Sequence, residues 1–186
     1  MRSGNWKNRP QPQAASESFE VSVGPKFLDG MPGQEEWLAF NVCIDDPKAV
    51  ALAEVWHDKA KAANGVPLRN DLSFRELVKF GKFLTLYKLT EEDRWLTTFC
   101  GEEVVHNVGM ELTGKHLDEY ASEKTLRFWM DNMTYIRDEG RPYLETFTLD
   151  VANKPYRVCQ TLNLPLRSGT RPFPDMFVCY ESYRKK

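Results

Sequence analysis

From Ser122 onward the chain switches its hydrophobic period once and never switches back, and this limits the folds open to it. Leu126, Trp129, Met130, Met133 and Ile136 recur at i, i+3, i+4, i+7 and i+10, the stripe of a helix laid on a sheet. Gly140 and Pro142 close that helix, which spans Ser122 to Glu139. Only strand periods follow. Phe147, Leu149 and Val151 alternate with Thr146, Thr148 and Asp150, and Tyr156, Val158, Gln160, Leu162 and Leu164 alternate with Arg157, Cys159, Thr161 and Asn163. The loop R-S-G-T-R-P-F-P then leads into a last strand, M-F-V-C-Y-E-S-Y. Strands joined this closely pair antiparallel, because a parallel pair needs a crossover of about a dozen residues or more.

Upstream, F-L-T-L-Y-K-L and R-W-L-T-T-F-C flank the acidic turn T-E-E-D and form a hairpin that ends at Gly101. A short helix carries Val104, Val105 and Val108 and stops at Gly109. Asp46 caps an earlier helix with Pro47 at its first position, and Val50, Leu52, Val55 and Trp56 give that helix a broad apolar face up to Gly65. Ser73 and Glu76 form a capping box for a second helix, buried through Phe74, Leu77, Val78 and Phe80. The patch W-L-A-F-N-V from Trp37 to Val42 reads as a strand or a docked segment. Residues 1–36, rich in Pro, Gln, Ser, Gly and charge and lacking either period, read as a mobile tail ahead of one domain at 37–186. Two strands, a helical middle and three strands give an α+β fold: a five-stranded antiparallel sheet with helices on one face and a flanking N-terminal helix.

A length of 186 residues suits one domain plus a tail. A formal net charge of -2 offers no field that would attract nucleic acid or an anionic membrane. No run approaches the roughly 20 apolar residues of a spanning helix, so membrane insertion is not expected. The four cysteines lack CxxC spacing and no secretory signal opens the chain, which points to a reduced, cytoplasmic setting. Cys159 and Cys179 are expected on adjacent strands, as reduced thiols by default.

Little in the chain has the spacing that chemistry demands. His57, His106 and His116 have neither the i,i+4 partner nor the Cys pair that zinc requires, so no metal site is expected. Glu102 and Glu103 stand without a nucleophile or base and favour a helix start. Gly109 to Gly114 is a turn, since no Lys-Ser or Lys-Thr follows it as in a phosphate loop. Gln160 interrupts an apolar strand face; it marks either a pocket or a position satisfied by neighbouring backbone.

The order of segments from Val66 to Gly114 resembles the entry half of a PAS-type sensory domain, and further signatures narrow the resemblance to the stand-alone bacterial PAS-like domain family. They are Trp56 in the leading helix; Pro67, Arg69 and Asp71 as P-x-R-x-D; the strand ending at Gly101; Gly109, Leu112, Thr113 and Gly114 as G-x-x-L-T-G; Pro142 after Gly140; and the closing L-P-L of Leu164 to Leu166. Together they span roughly residues 46 to 183. Where relatives carry an Arg before the strand-ending glycine and a Thr after it, this chain has Thr98 and Glu102, so a role in holding an anion does not carry over. The resemblance implies a stand-alone, non-catalytic sensory or regulatory protein with no fixed cofactor, binding an unknown small ligand, a signalling protein, or both. It places the pocket between sheet and short helices, with Trp95, Phe99, His106, Phe128, Trp129 and Gln160 as lining candidates. It also implies a homodimer through the helix from about Pro47 to Asn64, with the folding of that apolar face back onto the sheet as the alternative. A constitutive interaction module without ligand, and a small α+β-cone enzyme with a deep His-Asp or Tyr-Asp pair, stand as alternatives.

Overall fold

The computed structural model describes residues 20–27, 30–149 and 154–186. The chain is α+β, and its sheet has six antiparallel strands rather than the expected five. In chain order the elements are β1 (Glu20–Val23), α1 (Gln34–Val42), α2 (Pro47–Ala63), α3 (Phe74–Leu77), β2 (Leu84–Leu89), β3 (Trp95–Cys100), α4 (Glu102–Val108), α5 (Glu123–Glu139), β4 (Tyr143–Leu149), β5 (Lys154–Leu166) and β6 (Met176–Lys185). The strands lie in the order β1-β4-β5-β6-β2-β3.

The sixth strand comes from the segment read as a tail. Residues 1–19 lie outside the described residues, but β1 pairs with β4 from Glu20↔Thr146 to Val23↔Tyr143, and Phe27 is wholly buried. Composition misled here because four paired residues and one aromatic anchor are too few to set a period. Gly24 donates its N–H to the Pro142 carbonyl at 2.9 Å, and a Cβ at Gly24 would lie 2.5 Å from that oxygen. Pro142 thus serves as the landing point of the first strand.

Helices cover both faces of the sheet, not one. On the first face, Ala49, Leu52, Ala53, Trp56 and Ala60 form a single buried stripe on α2, set against Leu84, Leu86, Leu144, Leu162 and Leu164 from three strands. Asp46 starts α2 by accepting the Lys48 N–H at 2.8 Å, and Asn64 ends it in the left-handed conformation at φ 49°. The apolar face expected to meet a second copy is therefore spent within one chain: Leu52 and Trp56 are wholly buried, and the Trp56 indole donates to the Pro165 carbonyl at 2.8 Å.

The segment from Trp37 to Val42 belongs to a helix, α1, which buries Trp37 and Phe40 beside α2; Trp37 stacks on His57 with ring centres 4.1 Å apart. The Ser73–Glu76 capping box starts α3, and Leu77 and Phe80 are buried as expected, but Phe74 and Val78 are exposed. After one turn the helix tightens into a 3-10 segment, Val78–Phe83, where side chains three apart eclipse; Leu77, Phe80 and Phe83 therefore share the inward side. Ser73→Ala removes the Oγ that accepts the Glu76 N–H at 3.3 Å and donates to the Glu76 carboxylate at 2.7 Å, while the Ser73 N–H keeps its bond to Glu76; the loss is expected to cost about 1 kcal/mol, read as a lower urea midpoint at unchanged slope. An unchanged midpoint would show that the box contributes nothing.

The other residues on which the sequence resemblance rests are turn and latch residues. Asp71 accepts the Leu68 N–H at 2.8 Å, the Arg69 side chain donates to the Leu72 carbonyl at 2.8 Å, and the Pro67 carbonyl accepts the Arg167 N–H at 3.0 Å, tying this loop to the end of β5. A Cβ on Gly101 would meet the Gly81 and Lys82 carbonyl oxygens at 2.2 and 2.4 Å, so only glycine lets the hairpin end pack on the 3-10 segment. Gly109 and Gly114 take φ 86° and 82°. Between them Leu112 is buried, Thr113 donates its N–H to Glu111, and the Gly114 N–H reaches the Thr97 carbonyl at 2.8 Å.

On the second face α5 crosses the sheet. Ser122 caps it, Gly140 ends it at φ 57°, and Met133 and Ile136 pack on Tyr87, Leu89, Tyr143 and Phe177. Leu126, Trp129 and Met130 are only partly buried, and the inward side also takes in Phe128 and Asn132. α4 closes the far end with Val104 against Cys100 and Leu112. Cys159 and Cys179 do lie on adjacent strands, but Cys159 faces Tyr183 and Cys179 faces Asn163, a stagger of four residues, or about 13 Å along the strand. Both are buried free thiols. Among the described residues no helix is long and apolar enough to cross a membrane.

Candidate functional site

The register of the four inner strands sets out the floor of the site. One row across the second face reads Glu145, Thr161, Glu181 on β4, β5 and β6. The row beside it reads Tyr143, Asn163, Cys179, Thr85, and the row on the other side Phe147, Cys159, Tyr183. Polar side chains thus occupy the middle of a face that α4 and α5 roof over.

Between floor and roof lies a cavity of about 260 Å³, walled by Tyr87, Trp129, Phe147 and Leu149, by Val104, Val108 and Met110 from the α4 region, and by Tyr120, with Glu181 the carboxyl among them. A narrower recess of about 50 Å³ runs under α5 and is bordered by Asn132, Met133, Glu145, Thr161 and Asn163. Tyr87, Trp129, Phe147 and Glu181 border both spaces, and among the described residues neither is lined by a Lys, Arg or His.

The two carboxyls differ from every surface carboxylate of the chain. Glu145 is buried, and its oxygens accept from Asn132 Nδ2 at 3.0 Å and Asn163 Nδ2 at 3.3 Å. Tyr143 extends that relay by donating its hydroxyl to Asn132 Oδ1 at 3.3 Å. Burial pushes Glu145 up to about 7, the like charge of Glu181 adds to this, and the two asparagine donors only partly offset it. Glu181 accepts from Thr85 Oγ1 at 2.8 Å and from the Tyr183 hydroxyl at 2.6 Å, and burial raises it too. Neither carboxyl forms an ion pair among the described residues. The neighbouring phenols are held neutral: burial pushes Tyr120 up to about 12 and Tyr87 well above its ordinary value.

Of the six lining candidates read from the sequence, Trp129 borders both spaces and the other five border neither. Trp95 is buried against Phe177, with ring centres 4.7 Å apart, further along the same face. Phe128 is buried in α5 beside the site, while Phe99 and His106 are exposed. Gln160 points to the opposite face, where its side chain accepts the Asp45 N–H at 2.8 Å and donates to the Cys43 carbonyl at 3.1 Å. Its neighbouring-backbone reading is the one realised; it pins the α1–α2 junction to β5.

Sequence reasoning missed Glu145, Glu181, Tyr87 and Tyr120. The signal was present for the first: Glu145 is in phase with Phe147 and Leu149, so a carboxyl sits on an apolar strand face. Among the described residues no group of three or more His, Cys, Asp and Glu is placed to hold a metal ion. Comparison with protein-family models, curated proteins and solved structures finds no match to this chain in any of the three.

Proposed function

We propose that this chain is a PAS-type sensory or regulatory module that binds a small ligand between its sheet and α4–α5 and passes the change to another protein without performing chemistry. The observation that supports the reading is the cavity itself. It combines aromatic walls with a few convergent polar groups, the usual make-up of a small-molecule site. The order of elements also agrees with the resemblance: a hairpin, a helical middle and three antiparallel strands. The output is contact with a signalling protein or a second copy of the chain. For a second copy the leading segment offers Leu38 and Val42 of α1, 53% and 85% exposed, in place of the buried Trp56.

The small-enzyme reading gains one observation, the Tyr183 hydroxyl held 2.6 Å from Glu181. Native mass spectrometry of the purified full chain separates the readings and reports oligomeric state as well. A bound small molecule recovered chemically unchanged supports sensing, and turnover of that molecule supports the enzyme. A clean chain that takes up no compound from an extract of its host cells would refute the ligand-binding reading.

A further inference from the structure

We infer that the ligand of this cavity is an organic monocation, an ammonium group carried on an apolar body about the size of one aromatic ring. The inference rests on the small-ligand reading above and specifies its chemistry. Four observations carry it. The cavity presents two carboxyls, Glu181 bordering both spaces and Glu145 in the recess, two strands apart with Thr161 of β5 between them. Among the described residues the side-chain donors to these carboxyls are neutral, namely Asn132, Asn163, Thr85 and Tyr183, and no Lys, Arg or His lines either space. Carboxylates removed from water are ordinarily matched by a cation, and here the chain supplies none among the described residues. Tyr87, Tyr120, Trp129 and Phe147 line the main space, and the faces of aromatic rings attract a cation but not an anion.

Size narrows the class further. A space of about 260 Å³ exceeds the roughly 150 Å³ that holds a benzene ring, and leaves room for a short aminoalkyl arm. In this arrangement the ring lies among Trp129, Tyr87 and Phe147 while the ammonium group reaches the carboxyl of Glu181, with Glu145 adding its field from the recess. A carboxylate ligand would bring a third negative group to the same floor. A neutral alcohol would leave the charge of the floor unmatched.

The test is a matched panel on the full-length chain at pH 7.5: benzylamine and 2-phenylethylamine, their neutral counterparts benzyl alcohol and 2-phenylethanol, and the anions benzoate and phenylacetate. Affinities are read by isothermal titration calorimetry, and the site of binding by amide and indole N–H shifts in NMR. The expected result is that the amines bind at least tenfold more tightly than the alcohols, and the anions more weakly than both. Shifts should centre on Trp129. Glu181→Gln should cost the amines tenfold or more while leaving the alcohols unchanged; if that variant fails to fold, the amine-to-alcohol ratio of the wild-type chain decides by itself. Alcohols or anions binding as tightly as amines would overturn the cation assignment and leave the small-ligand reading standing. No binding by any member of the panel would overturn the cation assignment, and a clean chain in native mass spectrometry would then remove the ligand reading with it.

Discussion

Trp56→Ala is expected to unfold about 10 °C below the wild-type chain. The indole is wholly buried, meets the Phe27 ring edge to face with centres 4.7 Å apart, and donates to the Pro165 carbonyl at 2.8 Å. Truncation leaves a cavity where the leading helix meets the sheet and strips a buried carbonyl of its partner. Large aromatic truncations of this kind cost about 3 to 5 kcal/mol, and in a chain of this length each kcal/mol lowers Tm by about 2 to 4 °C. Trp56→Phe keeps most of the burial and loses the donor, so about 1 to 2 kcal/mol is expected for it. Calorimetry of the three proteins tests the assignment. An alanine variant melting within about 2 °C of wild type would show that α2 does not anchor this core.

The second expected result is a loss of stability between about pH 4.5 and pH 7 that Glu145→Gln largely abolishes. The sign follows from which state holds the proton. Burial raises Glu145 from 4.5 to about 7, so over that interval the folded chain binds a proton that the unfolded chain has released. Stability is full below the unfolded value and declines until the folded value is passed. A displacement of that size corresponds to on the order of 3 kcal/mol, or roughly 6 to 12 °C in Tm, and raised Glu181 acts in the same direction. Below about pH 4.5 the slope reverses. Ser73 and Lys59 hold Glu76 down near 2, and Arg94 and His116 lower Asp118 and Glu119 respectively, so these exposed groups lose their native partners as they protonate. Thermal unfolding from pH 4 to pH 8 should therefore show a maximum on the acidic side of neutrality. A Tm that rises steadily from pH 5 to pH 8, or an unchanged slope in Glu145→Gln, would contradict the placement of that carboxyl in a closed space.

Pocket and stability meet in the same residues. A site whose carboxyls have no ion-pair partner among the described residues weakens the fold at neutral pH, and a cation entering it would relieve that cost, so on the proposed reading such a ligand would compete with the proton for the floor of the sheet.

Local periodicity was enough to determine the α+β class, the hairpin of β2 and β3, the capped helices α2 and α5 and the three closing strands. The signals involved, caps at Asp46, Ser73 and Ser122 and the change from a period of 3.6 to a period of 2, act between residues close in sequence. Trp129 was legible as a pocket residue for the same reason, since it sits on the expected stripe of α5. Tertiary structure decided the rest. Whether Gln160 or Thr161 faces the cavity depends on which side of β5 each helix covers, and alternation alone does not distinguish two faces when both are buried. β1 joins the sheet through four residues too few to carry a pattern, and Val78 turns outward because the helix tightens after the single turn of α3. Glu145 and Glu181 lie thirty-six residues apart in the chain, and only the antiparallel register of β4, β5 and β6 brings them into one row. Their common role arises from long-range strand pairing, which no local stretch of sequence encodes.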